Sequence, residues 1–167
     1  MDFVSLLKDY GSAIALCVPM AGWAITNHQS NRRELRKEVR SEIDEIGDLC
    51  EKFVEAQHDY FESTVGTPEE FQASLDVKLH AQAVDLRIRR LQRRRWSFTN
   101  GHGTKEYLKT AAQMWEAAYD EGTGGTFESA SRVHSQIAVR AQQMQTRTKV
   151  LAFVEALHRA FLYEFDQ

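Results

Sequence analysis

The sequence predicts an all-α protein, with an N-terminal transmembrane helix that continues into a bundle of about four long helices in coiled-coil-like packing. Three observations predict it. Prolines occur only at Pro19 and Pro68, and the long segments are filled by Ala, Glu, Gln, Arg and Leu, which helices favour. Apolar residues recur at alternating spacings of four and three, while the period-two alternation of strands is scarce. A stretch of 17 uncharged residues, Tyr10–Thr26, precedes a basic run.

The chain of 167 residues has room for one domain with a sizeable core. Its 43% hydrophobic and 27% charged residues exclude wholesale disorder. A net charge of −3 selects no partner. Cys17 and Cys50 make neither a disulfide framework nor a zinc site. Both are expected to be reduced hydrophobic residues.

The first element is the uncharged stretch. As a helix it rises about 26 Å, slightly less than a hydrocarbon core of about 30 Å. Phe3–Leu7 can lengthen it, with Lys8 and Asp9 snorkelling at one interface. Tyr10 and Trp23 stand near its ends, where interfacial aromatics belong. A cleaved signal peptide fits less well, because the residues before the stretch lack a basic n-region. A buried core helix of a soluble protein is the third reading, which the short length keeps open. The expected division is a membrane anchor over 1–29 and a cytoplasmic helical bundle over 30–167. Arg32, Arg33, Arg36, Lys37 and Arg40 follow the stretch, so the positive-inside rule puts the N-terminus outside and the bundle inside an inner cell membrane. Gly11, Ala15, Gly22 and Thr26 share one face, with Pro19 between them, and such small-residue stripes let two spans approach.

From Ser30 to Phe61 the pattern is a helix with a seam of Val39, Ile43, Ile46, Cys50, Phe53, Gln57 and Tyr60. It is expected to continue the first helix as a stalk, with loosening at Asn27–Asn31. Its opposite face is acidic, from Asp44 to Glu62, and reads as solvated. Ser63–Thr67 is a turn, and Thr67-Pro68-Glu69-Glu70 is a helix start with Thr as N-cap, Pro at N1 and Glu at N3. The second helix is predicted to run to about Trp96. It has two apolar faces: Phe71, Leu75 and Leu79 on one, and Val77, Ala81, Val84, Ile88 and Leu91 on the other. Two such faces imply two neighbouring helices. Ser97–Gly103 reads as a loop. A helix over about Thr104–Asp120 follows, with Tyr107, Leu108, Ala111, Met114, Trp115 and Ala118 inward. Glu121–Thr126 is a second breaker. The last helix is expected over about Phe127–Tyr163, with Ile137, Ala141, Met144, Thr148 and Leu151 as its seam and an aromatic cluster of Phe153, Phe161, Tyr163 and Phe165.

The sharpest polar feature is Arg87–Arg95, with six arginines in nine residues, followed by Trp96 and Phe98. Three readings compete. The arginines can pair with the acidic first helix, where Arg87 and Arg94 flank the seam, Glu42 stands beside it, and Arg89, Arg90 and Arg93 point away. They can bind anionic lipid, because an antiparallel hairpin returns them toward Arg32, Arg33, Arg36 and Lys37 as a basic collar. They can neutralise nucleic-acid phosphates, a reading that the adjacent acidic helix disfavours.

No catalytic motif is present. The glycine-containing loops match no phosphate-binding signature. The six histidines are scattered, and Glu155-x-x-His158 occurs without the second copy that a di-metal bundle needs. The expectation is therefore neither an enzyme nor a metal or cofactor protein. The favoured function is a single-pass, membrane-anchored interaction or scaffold protein whose partners are anionic lipid and an unidentified protein, with a second copy of the chain as a further candidate and oligomerisation through the span belonging to the effector alternative. The alternatives are a membrane-active effector of the toxin, prophage or defence type, and a nucleic-acid-binding helical protein.

Overall fold

The computed structural model describes residues 3–96, 101–124, 127–128 and 136–166, with side-chain environments from Pro19 onward except that of Gln136. Among the described residues there are four helices and no strand: α1 Phe3–Glu62, α2 Pro68–Arg93, α3 Gly101–Thr123 and α4 Gln136–Phe165. The chain divides into two compact units, Met1–Glu38 and Val39–Gln167, and α1 contributes to both.

In the first unit α1 is helical without interruption, including Pro19 and the expected loosening at 27–31. Thr26 Oγ1 donates to the carbonyl of Gly22 at 2.8 Å, so its hydroxyl is satisfied within the helix. Every residue from 19 to 34 is exposed. Among the described residues no helix is long and apolar enough to cross a membrane, so the predicted transmembrane helix is not among the elements observed. Length and composition both bear on this. Gly, Ser, Pro and Thr dilute a stretch that is already short of the hydrocarbon thickness, and polar residues follow from Asn27.

The second unit is a bundle. All seven residues of the α1 seam from Val39 to Tyr60 are buried. Buried with them are Val77, Ala81, Val84, Ile88 and Leu91 of α2, Leu108, Ala111, Trp115 and Ala118 of α3, and Val150, Phe153, Leu157 and Ala160 of α4. Three rings tie the elements together. Phe53 of α1 lies 5.3 Å from Trp115 of α3 in an edge-to-face arrangement, and Trp115 lies 5.5 Å from Phe153 of α4.

The turn between α1 and α2 follows its local chemistry. Gly66 has a φ of 81°, the left-handed conformation that glycine adopts at no steric cost. Thr67 Oγ1 accepts the amide of Glu70 at 3.3 Å, and the Glu70 carboxylate accepts the amide of Gly66 at 2.5 Å. The predicted N-cap is therefore in place, with the reciprocal bond made one residue earlier than in the usual capping box.

Three expectations need correction. α2 uses only one of its two apolar faces inward, and Phe71, Leu75 and Leu79 are exposed. In α4 the chosen seam is the outer one. Ile137, Met144 and Leu151 are exposed, and the buried side is Thr146, Val150, Phe153, Leu157, Ala160 and Glu164. Tyr107 and Met114 of α3 are exposed as well. Boundaries also differ. α3 begins at Gly101 within the expected loop, and Phe127–Glu128 is a turn rather than a helix start. The Phe127 ring lies against Tyr60 with centroids 4.5 Å apart at a tilt of 45°, and the Glu128 amide donates to the Tyr60 hydroxyl at 2.6 Å, so this turn is fastened to α1.

Cys50 is 1% exposed, and burial, assisted by Glu51, pushes its thiol from 9.0 up to about 12. The folded thiol holds its proton more tightly than the unfolded one. Stability is thus indifferent to this group below pH 9 and falls as the pH rises from 9 toward 12. Because the thiolate is the reactive form, a maleimide at pH 8 should label Cys50 only on unfolding. Labelling of native protein at the rate of a free thiol would contradict this burial.

Candidate functional site

The arginine-rich end of α2 is the strongest candidate surface. Helical register sorts its residues. Ile88 and Leu91 point into the core, and Arg87 and Arg94 fall at the margin of α1. Arg87 pairs with Glu45. Glu42 of α1 is 6% exposed, and Arg90 Nε and Arg94 Nη2 each lie 3.7 Å from it. These are charge contacts longer than hydrogen bonds, and Glu42 Oε1 has no hydrogen-bond partner among the described residues. A buried carboxylate needs that compensation, so two of the six arginines serve the fold at this point. Arg89 pairs within its own helix with Asp85 at 2.8 Å. Arg93 and Arg95 are exposed and make no ion pair among the described residues.

The sequence placed Glu42 correctly beside the seam and Arg87 and Arg94 correctly at its flank. It missed that Arg90 reaches Glu42. A guanidinium on a long stem can cross the helix margin while remaining 70% exposed.

The other predicted site residues divide between the two units. Arg32, Arg33, Arg36 and Lys37 lie on exposed turns of α1 in the first unit, and Arg89, Arg90 and Arg93 lie in the second. Tyr10, Gly11 and Ala15 are helical; Pro19, Gly22, Trp23 and Thr26 are helical and exposed. Trp96 is half-buried, and its indole nitrogen is buried with no hydrogen-bond partner among the described residues. Its Cβ would lie only 3.1 Å from a methyl placed at Gly101, so it packs against the start of α3 and is not a free interfacial ring. Phe98 lies outside the described residues.

Two surfaces escaped the sequence reading. An open groove between α1 and α2 is lined by Glu55, Asp59, Glu69 and Asp76 together with Lys52 and His80. Another, between α1 and α4, holds His58, Gln143, Arg140 and Arg147 around Val54 and Met144. There Gln143 and His58 Nδ1 are 3.0 Å apart. The seven-residue spacing of Arg140 and Arg147 was the available signal for that groove, since it places both on one helical face.

A buried polar network holds the far end of α3. Gln57 donates to the Gly122 carbonyl at 3.1 Å and to Thr146 Oγ1 at 3.3 Å. Gln142 donates to the Glu121 carbonyl at 2.8 Å, and Lys149 reaches the Glu121 carboxylate at 2.6 Å. These side chains satisfy carbonyls that the helix end leaves without intrahelical partners. At the other end of α3, Thr104 donates at 2.6 Å to Glu164, a carboxylate 2% exposed. Both clusters join helices.

Among the described residues no group of three or more His, Cys, Asp or Glu could hold a metal ion. Comparison with known protein families, curated proteins and solved structures gives no match.

Proposed function

We propose that the chain is a helical interaction module held at a membrane by its N-terminal arm, with the bundle of residues 39–167 presenting the contact surface on the cytoplasmic side. One observation carries this reading. Residues 19–34 of α1 have no buried face, although Met20, Trp23 and Ile25 are 70%, 71% and 59% exposed. Residues 19–31 carry no Asp, Glu, Lys or Arg and bury nothing among the described residues, and lipid fits a stretch that holds Trp23 and is followed by basic residues. Arg32, Arg33, Arg36, Lys37 and Arg40 then lie on the side of anionic headgroups, each contributing about 1 kcal/mol near such a surface. The exposed Arg93 and Arg95 are available to the same chemistry. A phosphate-tracking nucleic-acid surface is less well supported, because Arg87, Arg89, Arg90 and Arg94 already face carboxylates of this chain.

Fractionation of cells expressing the full chain tests the proposal. The protein should stay in the membrane pellet through alkaline carbonate and leave it in detergent. Release by carbonate would overturn the anchor and leave the arm to a protein partner. Replacing Gly11, Ala15 and Gly22 with leucine should not disturb anchoring. If those changes instead abolish a depolarisation caused by overexpression, the chain acts on the bilayer itself.

A further inference from the structure

The outer face of α2 is exposed, and its Phe71 end lines an open groove with Tyr60, Val65 and Glu128. Phe71, Leu75, Leu79 and Leu86 are 65%, 42%, 60% and 67% exposed. At 100° per residue they fall within an arc of about 80° and extend for about 22 Å along the helix. The exposed Gln82 interrupts the row between Leu79 and Leu86, and an exposed apolar row of this kind marks an interaction surface.

We infer that this face is a self-association surface, on which α2 of a second copy packs antiparallel about a two-fold axis near Leu79. Charge decides the occupant. The first turns of α2 carry Glu69, Glu70 and Asp76, with Lys78 after them paired to Glu128, whereas its last turns carry Arg89, Arg90 and Arg93, with Asp85 before them paired to Arg89. Arg89 and Arg93 continue the stripe itself, and Arg90 and Glu69 flank it on the same side. Turning a second helix end for end brings Phe71 opposite Leu86 of the other copy. It also sets each arginine end over the acidic end of its mate, twice by symmetry. The helix dipoles are then antiparallel as well.

A membrane surface satisfies the same face poorly. An anionic plane attracts the arginine end but repels the acidic end, where Glu69 and Asp76 join Glu55 and Asp59 around the adjoining groove. The outer stripe of α4 cannot pair with itself in this manner, because Arg140 and Arg147 flank it and would face their own copies. The inference does not depend on where the N-terminal arm resides.

The test is the mass of the full chain in mild detergent, by light scattering with the detergent contribution subtracted. Wild type should have the mass of two copies. Leu79→Glu combined with Leu86→Glu should reduce it to one copy with the helical circular dichroism unchanged, since both side chains are exposed. Leu151→Glu on α4 should leave two copies. Glu69→Lys and Arg93→Glu should each raise the dimer dissociation constant by about tenfold, and the two together should restore it. A one-copy wild type overturns the inference, as does a two-copy Leu79→Glu, Leu86→Glu variant. A dimer lost only on replacing Gly11, Ala15 and Gly22 with leucine would assign association to the arm and overturn it too. So would vesicle binding by wild type that the two leucine substitutions abolish while the mass stays at one copy.

Discussion

Replacing Phe53 with alanine should destabilise the bundle by about 3–5 kcal/mol. Phe53 is 0% exposed at the centre of the α1 seam, with the Trp115 ring edge-on at 5.3 Å and the Tyr119 ring at 6.4 Å. Truncation removes the transfer energy of a buried ring and its ring–ring contacts, and it leaves a cavity between three helices. The helices cannot close over it without breaking the Gln57 bonds one turn further along. Against a total stability of about 5–15 kcal/mol for a domain, such a loss brings the chain near its unfolding midpoint. Urea denaturation followed by circular dichroism measures it. A loss below about 1 kcal/mol would show that the seam is not the centre of the core.

The second large effect concerns a glycine. Gly122→Ala should cost about 1–3 kcal/mol, although alanine is the better helix former by about 1 kcal/mol. A methyl at this position would stand 2.8 Å from the Phe53 ring and 3.3 Å from the Thr146 methyl, both fully buried. Neither neighbour can retreat, because Phe53 is wedged against Trp115 and Thr146 is bonded to Gln57 and to the Gln142 carbonyl. Gly47→Ala is the control. It lies in α1 with nothing within 4 Å of the added methyl, so it should stabilise by about 0.5–1 kcal/mol. Paired melting curves should move in opposite directions. A stabilising Gly122→Ala would contradict the packing of α1 on α3.

The same residues explain what could be read from the sequence. The α1 seam was legible in full because one face is apolar and the opposite face, from Asp44 to Glu62, is acidic, so only one orientation buries the apolar side. α2 and α4 carry apolar residues on two faces. Periodicity finds both stripes but does not say which one turns inward. In α4 the inward stripe looks the more polar, since it contains Thr146 and Glu164. Thr146 also donates to the Gln142 carbonyl of its own helix, but Gln57 and Thr104 meet the two residues from distant parts of the chain, and pairings at that sequence separation leave no local trace. At the candidate site, register predicted which arginines flank the seam. The reach of Arg90 to Glu42 depended on side-chain length and a shared buried carboxylate, which register does not encode.

Gln57 has a consequence for how the helices find their alignment. It is the single fully polar member of the α1 seam, and its oxygen has no hydrogen-bond partner among the described residues. Apolar knobs spaced by four and three fit nearly as well after sliding one heptad along their neighbours. Such a slip would carry Gln57 away from Gly122 and Thr146 and strand its amide, with both donors, in hydrocarbon. The shifted arrangement is therefore penalised far more than the loss of a few apolar contacts. A group that contributes little to the depth of the native minimum thus gives it a steep wall on each side, and the bundle locks into one register.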